Sequence, residues 1–166
     1  MTISMYDISV PVFDRRLTAL SAILGKAALH AEAKKIEPAA FMMDRLYPDM
    51  FPLWLQVQAC CDHAKNATAR LIGVELPIFD QTVQTFDGLK ARVAKTLEFV
   101  NSADRARFDG ADTRVVTLVS AGKERQMAGL DYFLNSGLPN FYFHMTTAYG
   151  ILRHNGVEIG KRDFIG

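Results

Sequence analysis

His63 and His144 are the side chains of this 166-residue sequence best placed for chemistry, because both fall in mid-helix. Counting about 100° per residue, His63 lies roughly 80°, and His144 roughly 70°, from the centre of its helix's apolar stripe. Those are flank positions, where side chains of adjacent helices meet. Asn140 comes one turn before His144 on the same flank. An i, i+4 pair of polar side chains can converge on one ion. Asp62 is a further candidate, but its direction is opposite the core stripe, so geometry favours His63. Zinc sites usually take three good protein ligands. Spacing alone therefore reads Asn140 and His144 more simply, as hydrogen-bonded to each other or to a neighbouring helix.

The remaining reactive groups have plainer readings. His30 and His154 sit near helix C-termini, where an imidazole meets the helix dipole or solvent. Cys60 and Cys61 are neighbours. A bond between them would be strained, so they read as two packed thiols. There is no phosphate-binding G-x-x-x-x-G-K-[ST], no dinucleotide G-x-G-x-x-G, no G-x-S-x-G elbow, no C-x-x-C and no H-E-x-x-H. Asn66-Ala67-Thr68 matches a glycosylation sequon, which inside a helix reads as chance.

Four amphipathic segments must position these residues. The first runs from about Ser9 to about Lys35, with Phe13, Leu17, Leu20, Leu24, Ala27 and Ala31 on one face. Pro11 falls near its start, and Ser4 with Asp7, or Ser9, caps it. Pro38, Pro48 and Pro52 punctuate a connection in which Ala39–Leu46 reads as a short helix. The second segment runs from about Pro52 to about Ile72 along Leu53, Val57, Cys60, Ala64, Ala67 and Leu71, with Gly73 as its stop. The third covers about Phe86 to Asn101, with Thr85 as N-cap. Between Asp112 and Leu130 the β-branched run Thr113–Val119 and a turn at Ser120–Lys123 predict a small hairpin. The fourth segment starts at Asp131 or Pro139 and ends near Asn155, with Leu138, Phe141, Met145, Ala148 and Leu152 on its core face. Such helices satisfy one another as a bundle. The apolar tail, with Val157, Ile159, Phe164 and Ile165, must dock on its own body or on a partner subunit.

Composition narrows the function classes. Apolar residues make up 49% and charged residues 22% of the chain, which is globular usage. Nineteen Lys and Arg against eighteen Asp and Glu leave a net charge of +1, without the basic excess that nucleic-acid binding needs. No apolar stretch is long enough to span a bilayer, and no basic leader precedes an apolar segment. The expectation is a cytoplasmic protein of one domain, residues 1–166. None of these features fixes a reaction.

The stretch Leu138-Pro139-Asn140-Phe141-Tyr142-Phe143-His144, then Thr146-Thr147-Ala148-Tyr149, Ile151–Val157 and Gly160–Phe164, resembles a bacterial family labelled a domain of unknown function. Ser4-Met5-Tyr6-Asp7 with Pro11-Val12-Phe13, and Pro48–Leu53, carry the same resemblance, so it spans essentially the whole chain. That family is similar to the DinB/YfiT-like superfamily. The resemblance implies a mainly all-α four-helix bundle, with the hairpin inserted before the last helix. It also implies metal dependence, with thiol-dependent transferase or hydrolase activity in some members. Their usual site takes one His from helix two and an H-x-x-x-H pair on helix four. The second His of that pair matches His144, and Arg153 and Gly156 follow at the superfamily's spacing. Asn140 replaces the first His, and the helix-two ligand falls at His63 or Asp62.

Asn140 is a neutral oxygen donor and a weak one for zinc. The implied set suits a zinc, nickel or manganese ion held loosely, or a relic now serving as a buried polar network. Phe143 points roughly opposite the core stripe, so its ring must be covered by the hairpin, the tail or a second copy. The expected function is a homodimeric small-ligand-binding or interaction protein with a vestigial metal site. The alternative is a divalent-metal-dependent transferase or hydrolase. Tyr6, Asp7 and Arg153 either join that site or staple helix ends together.

Overall fold

The computed structural model describes residues 3–120 and 122–166. Helix α1 spans Met5–Lys34. Ser4 starts it as a capping box: its Oγ accepts from the Asp7 amide, while the Asp7 carboxylate accepts from the Ser4 amide and hydroxyl. The helix therefore begins ahead of Ser9, whose buried hydroxyl instead donates to the Met5 carbonyl at 2.6 Å. Pro11 falls inside α1 rather than at its edge. Having no amide hydrogen, it cannot donate to the Asp7 carbonyl one turn back.

Helix α2 is only Pro38–Met43, shorter than the expected Ala39–Leu46, and buries Phe41 and Met42. Helix α3 spans Leu53–Ile72 and is closed by Gly73, at φ +70°. Helix α4 spans Phe86–Asn101, with the Thr85 hydroxyl accepting from the Gly88 amide at 3.0 Å. A 3-10 turn, Arg105–Phe108, leads to strands β1 (Val115–Ser120) and β2 (Lys123–Ala128). They pair antiparallel from Val115↔Ala128 to Ser120↔Lys123. The turn expected there includes Ala121, which lies outside the described residues. Val116 is buried while Val115 and Val119 face outward, the period-two alternation of a half-covered strand.

The last long helix has two starts, and both sequence readings of it find a counterpart. Helix α5 (Gly129–Tyr132) runs into a π turn, Phe133–Gly137, and then into α6, Leu138–His154. Pro139 has no amide hydrogen and would crowd the carbonyl four residues back, so a widened turn ahead of it relieves both problems. Helix α7, Lys161–Ile165, follows. The hairpin thus precedes the last long helix rather than the last helix.

The architecture is mainly helical with one two-stranded antiparallel hairpin. The closest packing is α3 on α6 and α1 on α4, followed by α3 on α4. Phe13, Leu17, Leu20 and Leu24 of α1 meet Val57 and Ala64 of α3, Leu89 and Val93 of α4, and Phe141 and Met145 of α6 in one core. The tail docks on its own chain. Val157 and Ile159 are buried, Lys26 pairs with Asp163 at 2.6 Å, and the Arg16 guanidinium donates to the Phe164 and Ile165 carbonyls. Among the described residues no helix is long and apolar enough to cross a membrane.

Candidate functional site

The α3–α6 contact brings His63 to His144, with ring centroids 5.3 Å apart and ring planes within 13° of parallel. Gln56, two turns before His63 and therefore on the same face of α3, fixes the second ring. Its side-chain nitrogen donates to the Phe51 carbonyl at 3.0 Å, so its oxygen is the end turned to His144. That oxygen lies 2.7 Å from His144 Nδ1. An amide oxygen only accepts, so Nδ1 carries the hydrogen and Nε2 keeps a lone pair in the neutral ring. Gln56 is 1% exposed, which makes this bond costly to lose.

Both rings are held neutral. Burial pushes the His63 pKa down to about 4, helped by the nearby His144 and Arg70, with Asp62 opposing. Burial also lowers the pKa of His144. The pair therefore offers lone pairs to hydrogen-bond donors or a metal, and is not a cationic patch, near pH 7. Phe51 lies nearly parallel to the His144 ring, 9° between planes at 6.0 Å, and Phe143 meets it edge-on at 5.2 Å. Phe51 and Phe143 are about half exposed, so an aromatic rim borders the buried imidazole. Phe143 is thus left open by its own chain.

Asn140 and Asp62 are engaged elsewhere. The Asn140 side-chain nitrogen donates to the Ser136 carbonyl at 2.7 Å, satisfying an acceptor that the π turn loosens, and leaves its oxygen as the remaining polar end. Asp62 turns to α4, where one of its oxygens lies 2.5 Å from Arg92 Nη2, and the same oxygen is 3.3 Å from Nζ of Lys65 on its own helix. Cys60 and Cys61 are buried free thiols. Burial raises the pKa of both, that of Cys61 to about 12, so neither is a thiolate nucleophile.

Two imidazoles on one tetrahedral ion, with bonds of about 2.0–2.1 Å, have centroids about 5 Å apart. His63 and His144 meet that separation. Each ring plane must also contain the ion, so one of the two nearly parallel rings has to turn about χ2. The third donor would be the Asn140 amide oxygen. One turn after His63, Asn66 Oδ1 is a further buried acceptor with no donor among the described residues. No group of three His, Cys, Asp or Glu side chains converges among the described residues. Two imidazoles and a neutral amide oxygen would be a weaker hold on a divalent ion than three imidazoles.

Sequence reasoning missed Gln56 and Phe51. The one available signal for Gln56 was its seven-residue spacing from His63. Phe51 carried none, because it precedes α3 and has no helical phase.

A family described as Domain of unknown function (DUF1993) matches residues 5–165. The chain is 40% identical to a DinB family member protein from Shewanella denitrificans of known crystal structure. That similarity covers 98% of this chain and 92% of the other, with a TM-score of 0.89. None of the curated proteins matches.

Proposed function

The chain belongs to the DUF1993 family of unknown function, and from that premise we propose that it is a single-domain, DinB-like four-helix bundle that binds a small ligand at His63 and His144. One observation supports this reading above others: a neutral imidazole pair, with the His144 tautomer set by Gln56, bordered by the exposed rings of Phe51 and Phe143. Imidazole lone pairs accept hydrogen bonds, and aromatic faces take a flat apolar group. The fitting ligand is a small organic molecule with both an N–H or O–H donor and an apolar part.

A second reading has support from the imidazole separation and from the DinB family relative. In it, His63 and His144, with Asn140, hold a zinc, nickel or manganese ion. The ion would supply Lewis-acid polarisation for a transferase or hydrolase step.

Untagged protein analysed for bound metal, beside His144→Ala and His63→Ala, separates the two. The ligand reading expects well under one metal per chain, even after loading with zinc, nickel or manganese. It also expects small aromatic donors to shift the His63 and His144 ring resonances, an effect absent in His144→Ala. Stoichiometric metal lost in both variants would replace it with the metalloenzyme reading, to be pursued with thiol co-substrates.

The half-exposed Phe143 and Phe51 are also the face we assign to a homodimer contact, so that a second copy would close over the mouth of the imidazole site. Sedimentation at rising concentration should show a dimer, and Phe143→Glu should shift it to monomer. A monomer at all concentrations would overturn that assignment.

A further inference from the structure

We infer that Arg70 anchors a carboxylate of the ligand held at His63 and His144, so that the ligand class is a small aryl carboxylic acid with an N–H or O–H between its ring and its carboxylate. This rests on the histidine-pair reading proposed above and adds to it the charge of the ligand and the order of its groups.

Arg70 lies on the same face of α3 as His63, seven residues and two turns further on, about 10 Å along the axis. The last long helix runs the opposite way beside it. His63 meets His144, Ala67 meets Gly137, and Arg70 meets Tyr132, so these pairs mark one seam. A Cβ on Gly137 would lie 3.4 Å from the Ala67 Cβ, so the two helices touch midway along it. Asn140 falls between Gly137 and His144, with only its amide nitrogen committed, to the Ser136 carbonyl. Phe51 precedes α3 and stacks on His144, at the end of the seam away from Arg70. The order along the seam is therefore guanidinium, imidazole pair, aromatic rim.

Tyr132 fixes the guanidinium. Arg70 Nη1 donates to its hydroxyl at 3.1 Å, and the guanidinium carbon lies 5.4 Å from its ring centroid. Tyr132 is 2% exposed, so the post itself is immobile. Burial raises the Tyr132 pKa, so its hydroxyl stays neutral and supplies no counter-charge. Among the described residues no Asp or Glu pairs with Arg70, which is half-buried. The bond to Tyr132 uses Nη1 and leaves the opposite edge, Nε with Nη2. Neither nitrogen has an acceptor among the described residues, and neither is sealed from solvent. That edge is the two-donor fork that takes a carboxylate side-on.

A stapling role accounts for less. Arg70 is in the last turn of α3, where a cation suits the helix dipole, and its bond to Tyr132 ties α3 to the start of the last long helix. Neither role uses the Nε–Nη2 edge. The guanidinium also acts on the imidazole pair, since its charge is one of the causes that hold His63 neutral. A ligand carboxylate on Arg70 brings its N–H or O–H toward rings that offer lone pairs, and its aryl end toward Phe51.

The test is a titration of the full-length protein at pH 7, read at the His63 and His144 ring resonances. The probes are N-benzoylglycine, N-benzoyl-β-alanine and 4-benzamidobutanoate, which vary the distance from carboxylate to N–H, each beside its uncharged primary carboxamide. The best acid should bind about tenfold more tightly than its carboxamide, the effect of a charge-assisted hydrogen bond. Arg70→Gln should erase that preference and leave the carboxamide's affinity unchanged. Arg70→Lys, which keeps the charge without the fork, should retain part of it. The comparison of acid with carboxamide in the unmodified protein holds even if a variant fails to fold. Equal binding of acids and carboxamides, or a preference unchanged in Arg70→Gln, would overturn the proposal and leave the histidine-pair reading standing. No ring shift with any of the probes would overturn both.

Discussion

Replacing Phe13 by alanine is expected to lower the unfolding free energy by about 3–5 kcal/mol, the range for a fully buried phenylalanine. Phe13 is 0% exposed. Its ring meets Phe141 edge-on at 4.9 Å and Phe133 at 6.0 Å. Each such aromatic pair adds about 0.5–1.5 kcal/mol beyond the area buried. Leu17, Leu20, Phe133 and Phe141 are all fully buried around it, and rigid helices cannot collapse onto the void. Phe133 opens the π turn and Phe141 follows Asn140, so the cavity would also loosen the part of α6 that carries His144. Urea unfolding at pH 7 measures the loss as a lower midpoint at unchanged slope. Phe13→Leu, which refills most of the volume, should recover more than half of it. A loss below about 1 kcal/mol would mean that α1 does not sit at the centre of this core.

The long helices were legible because burial imposes a period. Phe13, Leu17, Leu20 and Leu24 recur at fours and threes, and all four are fully buried. The hairpin was legible through Val115–Val119, whose β-branched side chains favour a strand. Strand β2 is polar and mostly exposed, so its existence follows from its partner rather than from its own pattern. The start of α1 was ambiguous, because Ser4 and Ser9 are both good caps by type. Only the reciprocal bonds with Asp7 decide for Ser4.

The site was legible in its histidines and not in what holds them. Helical phase could place His63 and His144 on facing flanks, since each phase depends on one helix alone. Gln56 and Arg92 depend on which helix arrives opposite, across 88 residues for Gln56 and His144 and 30 for Asp62 and Arg92. Nothing in local spacing encodes such meetings. Asn140 shows the converse. Its i, i+4 relation to His144 suggested a shared ligand, yet its side-chain nitrogen serves the π turn that Pro139 requires. A polar residue one turn from a histidine can be answering its own helix.

Lowering the pH from 7 to 4.5 should remove on the order of 2 kcal/mol of stability from metal-stripped protein, and most of that loss should belong to His63. The His63 pKa falls from 6.5 to about 4 on folding, so below pH 6.5 the unfolded chain binds a proton that the folded chain refuses. Stability is therefore fully present above about pH 6.5 and is lost as the pH falls toward 4. The full pKa difference corresponds to about 3 kcal/mol, and partial exposure of the ring reduces it to about 2. His144 is lowered by burial too and acts in the same direction. The two rings face each other, so protonating one raises the cost of protonating the other. Asp7 and Asp163 do not obscure this window. Both are held below the ordinary 3.8, chiefly by the Ser4 hydroxyl and by Lys26 respectively, so their contributions fade only at lower pH. Thermal or urea unfolding at half-unit steps from pH 7 to 4.5 gives the slope, and His63→Gln should remove the larger share of it. Equal slopes in the two proteins would show that the pair is not held neutral. The same neutrality decides what the pair can bind. A ligand that depends on imidazole lone pairs must leave as those lone pairs take protons, so its affinity and the protein's stability should fall over the same pH range.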